Sequence, residues 1–365
     1  MEDTKMAITA SMVKELREMT GAGMMDCKKA LTETNGDMDA AVEVLKKSGA
    51  AKMEKKASRI AAEGIARVAA NDTVAVVVEV NSETDFVAKN ETFQEFVQAV
   101  ADTALTSGLE GGANGEDIEA VLEMNGLKDL LVEKTATIGE KLSVRRFAKV
   151  TGDCVASYLH AGGKIGVLVA ATGANDDAAK EALTNVAMQI AAMNPQYVSR
   201  ADISAEEIEK MREITIDSAL NDPASLPKPI QNELYTKVET EKLFSEEDLA
   251  ILAEKKNDKY LYNFLSKEAI AKLAELALAN KAVYVENKIF AGLVEGRISK
   301  QVKDISLLDQ TYVKAEDGKQ TVAAYLASVN KDLAIAKFVR FEVGEGMEKK
   351  NEDFAAEVAA QMANA

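Results

Sequence analysis

Hydrophobic positions recur along this chain in different rhythms, and the changes between them mark its organisation. The first fifty residues carry a helical rhythm. Thr9 is placed to cap a helix whose apolar stripe is Met12, Val13, Leu16 and Met19. Gly21 and Gly23 break that helix. A second helix runs from about Met24 to Thr34 and stops at Asn35-Gly36. Asp37 caps a third, with Ala40, Ala41, Val44 and Leu45 inward, ending at Ser48-Gly49. Three short helices on short loops predict a small bundle over residues 9–50, behind a flexible tail at 1–8.

This bundle resembles ubiquitin-associated (UBA) modules. An Ala/Lys-rich stretch at 51–64 continues from it as a linker helix. The rhythm then changes. Segment 65–82 (IARVAANDTVAVVVEVNS) and segment 155–172 (VASYLHAGGKIGVLVAAT) each read as strand, tight turn, strand, turning at Asn71-Asp72 and at Gly162-Gly163. Each is followed by a loop and an amphipathic helix. The first helix carries the stripe Phe93, Phe96, Val97, Val100 and Ala104, the second Leu183, Val186, Ile190 and Ala191. Each then ends in another strand, Lys141–Val150 and Ala336–Gly344. The repeated order predicts an α+β class with two half-domains, at 65–150 and at 151–203 plus 304–345. Each would have a small antiparallel sheet with helices on one face.

The second half is interrupted by a helical excursion at 204–303. Ser204-x-x-Glu207 is a capping box, Ser245-x-x-Asp248 a looser version, and Pro223, Pro227 and Pro229 break the helix between them. Val283 to Lys303 carries the return, so the excursion reads as a helical hairpin. A short helix closes the chain at 346–365, with Phe354, Val358 and Met362 on one face.

Composition narrows the possible chemistry. The 365 residues carry 44 basic and 60 acidic side chains, a net charge of −16, which argues against a broad phosphate-binding surface and so against direct nucleic-acid binding. Two cysteines without a CxxC point to a reducing cytoplasm. The first fifteen residues lack the apolar core of a secretory signal, and no apolar run is long enough to span a bilayer. A single histidine, His160, leaves little room for a zinc site or a hydrolytic triad. No GxxxxGK[ST] loop is present, and Gly21-Ala22-Gly23-Met24-Met25-Asp26 is a failed GxGxxG with no strand before it. The expectation is a protein with no metal, no cofactor and no catalytic chemistry.

Three constellations remain. Thr84-Asp85-Phe86-Val87-Ala88-Lys89-Asn90 lies between a strand and a helix that Asn90 would cap. Phe86 either packs beneath its own helix, which the pattern alone favours, or stands out as an apolar wedge for another protein. Met24 and Met25 follow the Gly-Ala-Gly turn, and adjacent helical residues lie about 100° apart, so at least one must sit near solvent. His160, beside Tyr158 at a strand end, reads first as an ordinary hairpin histidine.

The runs ITASMVKELREMTGAGMMDCKKALTETNGDMDAAVEVLKKSG and VEVNSETDFVAKNETFQEF resemble the bacterial elongation factor Ts family. So do IGEKLSVRRFAKV, SYLHAGGKIGVLVA, VEGRISKQVKDISLLDQ and FVRFEVGEGMEKKNEDFAAEVAA. The resemblance covers residues 8 to about 215 and about 287 to 360, and leaves a helical stretch at about 221–285 beyond the common family pattern. It implies a UBA-like module, two related core subdomains, a coiled-coil protrusion and a C-terminal helix. It also implies guanine-nucleotide exchange on elongation factor Tu, the expected partner. Carried over by position, Arg17, Met24 and Met25 would meet the GTPase domain. Asp85 and Phe86, within the Thr84–Val87 loop, would enter near the nucleotide's magnesium. Ile138 and Gly139 would support that contact, and His160 would lie near the partner's other domains. Two readings stand beside it: an adaptor built on the three-helix module, and an enzyme using His160.

Overall fold

The computed structural model describes residues 8–348. The expected C-terminal helix and nearly all of the tail at 1–8 lie outside them. The first bundle consists of α1 (Ala10–Thr20), α2 (Met24–Glu33) and α3 (Met38–Lys56). Thr9 Oγ1 accepts the Met12 N–H at 3.2 Å and Asp37 Oδ1 accepts the Ala40 N–H at 2.9 Å, so both expected caps form. The core is Val13, Leu16, Cys27, Ala30, Leu31 and Ala41. Gly49 does not stop α3. A β-carbon there would come within 3.0 Å of Val132 Cγ1, so this glycine marks a close helix contact inside a continuous helix. Of the stretch expected as a linker helix, 51–56 is the end of α3, the six residues 57–62 join it to the first strand, and Glu63 and Gly64 begin that strand.

Strands β1 (Glu63–Ala70) and β2 (Val74–Ser82) pair antiparallel around a turn in which Asn71 Oδ1 accepts the N–H groups of Thr73 and Val74 at 3.0 and 2.8 Å. A single helical turn, α4 (Asp85–Ala88), and the longer α5 (Glu91–Thr106) follow, then β3 (Gly111–Gly112), α6 (Ile118–Leu122), α7 (Leu127–Ile138) and β4 (Ser143–Thr151). The sheet order is β1-β2-β4-β3. Helices α6 and α7 were not legible: they are short, and Asn125 and Gly126 interrupt their apolar pattern in left-handed conformations, φ 51° and 71°.

The second half opens with β5 (Cys154–His160), β6 (Ile165–Thr172) and α8 (Asp177–Met193). The excursion then forms a compact unit of its own, Pro195–Thr311. It contains α9 (Ala205–Asn221), α10 (Lys228–Glu241), α11 (Glu246–Lys255), α12 (Lys267–Ala279), α13 (Lys281–Val285) and α14 (Lys288–Ile305). The capping box closes in both directions, with Glu207 N–H on Ser204 Oγ at 3.2 Å and Ser204 N–H on Glu207 Oε2 at 3.0 Å. α9 and α14 carry the chain out and back and pack on each other. The expected hairpin is filled out into a bundle, because Leu220, Leu234, Tyr235, Leu252, Leu273, Tyr284 and Phe290 build one buried core around it. The entering and leaving segments are zipped together, with Gln196 N–H on Ile305 O and Leu307 N–H on Tyr197 O, both at 2.9 Å.

The chain then returns through α15 (Val322–Val329) to β7 (Ala334–Glu342), giving the sheet β5-β6-β7. The two halves share one connectivity: a hairpin, a helix, and a later strand that pairs antiparallel with the hairpin's second strand. Their sheets meet face to face through small side chains, Ala66, Ala75, Val77, Ala148, Leu168 and Ala170. Gly166 lets the layers approach, since a β-carbon there would lie 2.7 Å from Val77 Cγ2. The alternate residues Val76, Val78 and Val80 join the core that α5 caps with Phe93, Phe96, Val97, Val100 and Ala104. Helix α8 packs on the second sheet.

Since Pro195–Thr311 has its own core, the boundaries of a clean excision are those of that unit. Joining Asn194 to Tyr312 through a short Gly/Ser linker should leave a cooperative thermal transition and the strand signal in circular dichroism. Removing only residues 224–284 should instead expose Leu220, Phe290 and Val294 and cause aggregation. A well-behaved 224–284 deletion would contradict the single helical core.

Candidate functional site

Strand β2 ends at Ser82, whose hydroxyl donates to Thr84 O at 2.9 Å. α4 then begins. Its residue Val87 is 7% exposed and joins the core under α5, while Phe86, one residue earlier and so turned by about 100°, is 78% exposed. The apolar pattern alone puts Phe86 beneath the helix; the structure places Val87 there instead and leaves Phe86 exposed. The segment is pinned downstream too. The Asn90 N–H meets Val87 O at 2.9 Å, Asn90 Oδ1 accepts the Phe93 N–H at 3.2 Å, and the Gln94 side chain donates to Ala88 O at 3.0 Å. Asp85 and Lys89 form an exposed ion pair at 3.6 Å, and the Lys89 ammonium lies 5.9 Å from the centre of the Phe86 ring. Neither contact covers the ring, and an exposed pair of this kind contributes little to stability.

Ile138 and Gly139 stand beside this turn. Gly139 ends α7 in the left-handed region, φ 85°, its N–H on Thr135 O at 3.1 Å. The next residue, Glu140, reaches the loop. Its Oε1 accepts the Thr84 hydroxyl at 2.7 Å and its Oε2 the Thr84 N–H at 3.0 Å. In the opposite direction, Glu83 Oε1 accepts the Lys141 N–H at 2.6 Å and an Arg59 guanidinium N–H at 3.1 Å. Lys141 completes the tie by donating to Ala57 O and Arg59 O at 2.7 and 2.9 Å. Sequence reasoning missed Glu83 and Glu140. They flank the residues it selected, but their roles depend on the approach of two loops 56 positions apart in sequence.

Arg17, Met24 and Met25 come together on the first bundle, lining an open cleft of about 400 Å³ with Val13, Lys14 and Lys28. Both methionines are exposed, at 60% and 76%, because the inward face of α2 is Cys27, Ala30 and Leu31 and the first turn overhangs that core. The α1–α2 turn touches the end of α7, where the Thr137 hydroxyl donates to Gly21 O at 3.4 Å. The bundle is thus joined to the residues next to Ile138. His160 is separate. It is exposed at the end of β5, its Nδ1 3.2 Å from the Tyr158 hydroxyl, and among the described residues no hydrogen bond or ion pair ties it to the 84–87 turn. Among the described residues, no group of three or more His, Cys, Asp and Glu is arranged to hold a metal ion, and no helix is long and apolar enough to cross a membrane.

An exposed aromatic on a pinned turn, with a second exposed apolar cluster nearby in the fold, suits contact with a protein. Comparison with known sequences decides the family. The profile described as Elongation factor TS matches residues 83–345. The chain is also 43% identical over 366 residues to Elongation factor Ts of Clostridioides difficile (strain 630), covering 97% of this chain and 99% of that protein. The chain belongs to the elongation factor Ts family. It is accordingly a translation elongation factor, a protein of protein biosynthesis. The matched region contains the whole Phe86 turn, the Ile138–Lys141 segment and strands β3 to β7.

The position of Phe86 has a consequence for stability. Phe86→Ala should change the denaturant midpoint little, about 0.5 kcal/mol or less, as for most exposed positions. Phe93→Ala, seven residues away and fully buried, should cost about 3–5 kcal/mol. A large loss for Phe86→Ala would mean that the ring packs inside the protein.

Proposed function

We propose that this chain binds elongation factor Tu carrying GDP and accelerates release of the nucleotide, taking part in no chemical step itself and working in the cytoplasm. The observation that supports this most strongly is the Phe86 ring on α4, held from both sides and 78% exposed among the described residues. A rigid apolar ring on a turn suits insertion between two elements of a partner, since its bulk forces a displacement and its few rotamers cost little entropy on binding. Asp85 would accompany Phe86 toward the magnesium and phosphate side of the nucleotide site, and Thr84 and Val87 would hold the turn behind them. Ile138 and Gly139 would back that contact. Arg17, Met24 and Met25 would form a second contact on the GTPase domain, where flexible methionines tolerate imperfect packing. His160 would lie near the partner's other domains.

The energetics follow from linkage. If the factor weakens nucleotide binding, the nucleotide weakens factor binding by the same amount. A near-complete swap between the two bound states needs about 5.5 kcal/mol of differential affinity. A few central residues can supply most of that when they fill space the nucleotide-bound partner keeps closed. GTP binding then drives the factor off by the same coupling.

The test is release of fluorescent GDP from purified elongation factor Tu. A substoichiometric amount of this chain should accelerate release over many turnovers, and added unlabelled GDP should weaken the factor's binding. An unchanged release rate, or tight stoichiometric binding of GTP by this chain alone, would contradict the reading.

A further inference from the structure

We infer that Glu140 is a positioning residue for nucleotide release, acting through Thr84 to hold Phe86 outward; the inference rests on the exchange reading above. Thr84 occupies the N-cap of α4, where its hydroxyl would ordinarily accept a hydrogen bond from the helix's own first N–H groups. No such bond is made. The hydroxyl is turned away and donates to Glu140 Oε1 at 2.7 Å, while the Thr84 N–H donates to Oε2 at 3.0 Å. Both carboxylate oxygens are thus spent on one residue, in charge-assisted bonds stronger and more directional than neutral ones.

The geometry separates two jobs. Val87, buried under α5, keeps α4 on the protein. Ala88 packs on the same core and the Ser82 hydroxyl holds Thr84 O at 2.9 Å, which leaves the Thr84 N–H and hydroxyl, at the start of the turn, to Glu140. The Glu140 bonds fix the residue two places before Phe86, and Asn90, which caps α5, and Gln94 fix the other end. Glu140 can reach across because Gly139 ends α7 in a left-handed turn immediately before it. Glu140 is half-buried, and the backbone just after it is held by the Lys141 N–H on Glu83 Oε1 at 2.6 Å. Removing the Glu140 carboxylate should leave the core intact and let Phe86 sample orientations that do not fit the partner.

The experiment measures GDP release from elongation factor Tu against factor concentration for the wild type, Glu140→Ala, Glu140→Gln, Phe86→Ala and the double variant Glu140→Ala/Phe86→Ala, with thermal melts of each. Glu140→Ala should lower the maximal release rate about tenfold, while the half-saturating concentration moves less than about threefold. Glu140→Gln, which keeps an acceptor for the Thr84 N–H, should recover most of the rate. In the Phe86→Ala background, Glu140→Ala should have no further effect. If Glu140→Ala lowers the melting temperature, Thr84→Val, which removes only the hydroxyl donor, should show the same dependence on Phe86. A full rate for Glu140→Ala would overturn the proposal, as would an equal loss with and without Phe86. A wild-type rate for Phe86→Ala would overturn this proposal while leaving exchange standing, whereas no acceleration of release by the wild type would overturn the exchange reading itself, so the two failures are distinguishable.

Discussion

Strand β2 is buried on both faces along almost its whole length, and a strand apolar on both faces needs a layer on each side. α5 supplies one layer and the second half-domain's sheet the other, so the duplication is a requirement of this strand as well as a repeat of it. The same burial encloses Glu79, which has no exposed surface. A buried carboxylate must be paired and fully hydrogen-bonded. Glu79 meets the Arg146 Nε at 2.6 Å, Arg145 at 3.0 Å, the Asn81 amide at 3.1 Å and the Gly344 N–H at 2.9 Å. Arg146 also lies over the Phe341 ring, 4.2 Å from its centre. Glu79 and Gly344, 265 positions apart and one from each half-domain, are therefore fastened at one charge, and the end of β2 that leads into the Phe86 turn is fixed by the layers around it.

Much of this organisation was legible in the sequence where a pattern was long and local. The α5 stripe, the Asn71 turn, the Ser204 capping box and the matching order of the halves all needed only neighbouring residues to be read. What was missed depends on distant ones. Gly49 has the appearance of a helix stop until Val132 is placed against it. The helical excursion reads as a hairpin until the apolar positions of its inner helices are seen to share one core. The face-to-face sheets meet through Ala66, Ala75 and Ala148 beside larger residues, Val77, Leu168 and Phe341, and which of these face each other depends on distant positions.

The Phe86 turn shows the same division. Its residues stand out in sequence, and the family likeness selects them, but the apolar pattern alone puts Phe86 inside the protein. The pattern cannot tell which of two adjacent apolar residues takes the one inward position, and Val87 takes it. Glu83 and Glu140, which tie the turn to the end of α7, resemble ordinary surface acids in a chain with 60 of them. A side chain that is to be exposed and yet held still must be fixed by its backbone, and that is what these two carboxylates do.

On the exchange reading proposed above, the bulk of one exposed ring forces GDP out of elongation factor Tu. The most direct measurement is the maximal rate of GDP release from elongation factor Tu as the side chain at position 86 is shortened, Phe86→Leu and then a Gly substitution, at saturating factor. The wedge mechanism predicts a stepwise fall with side-chain volume while all three proteins melt alike. Equal maximal rates across the series, with binding intact, would show that Phe86 is not the group that opens the nucleotide site.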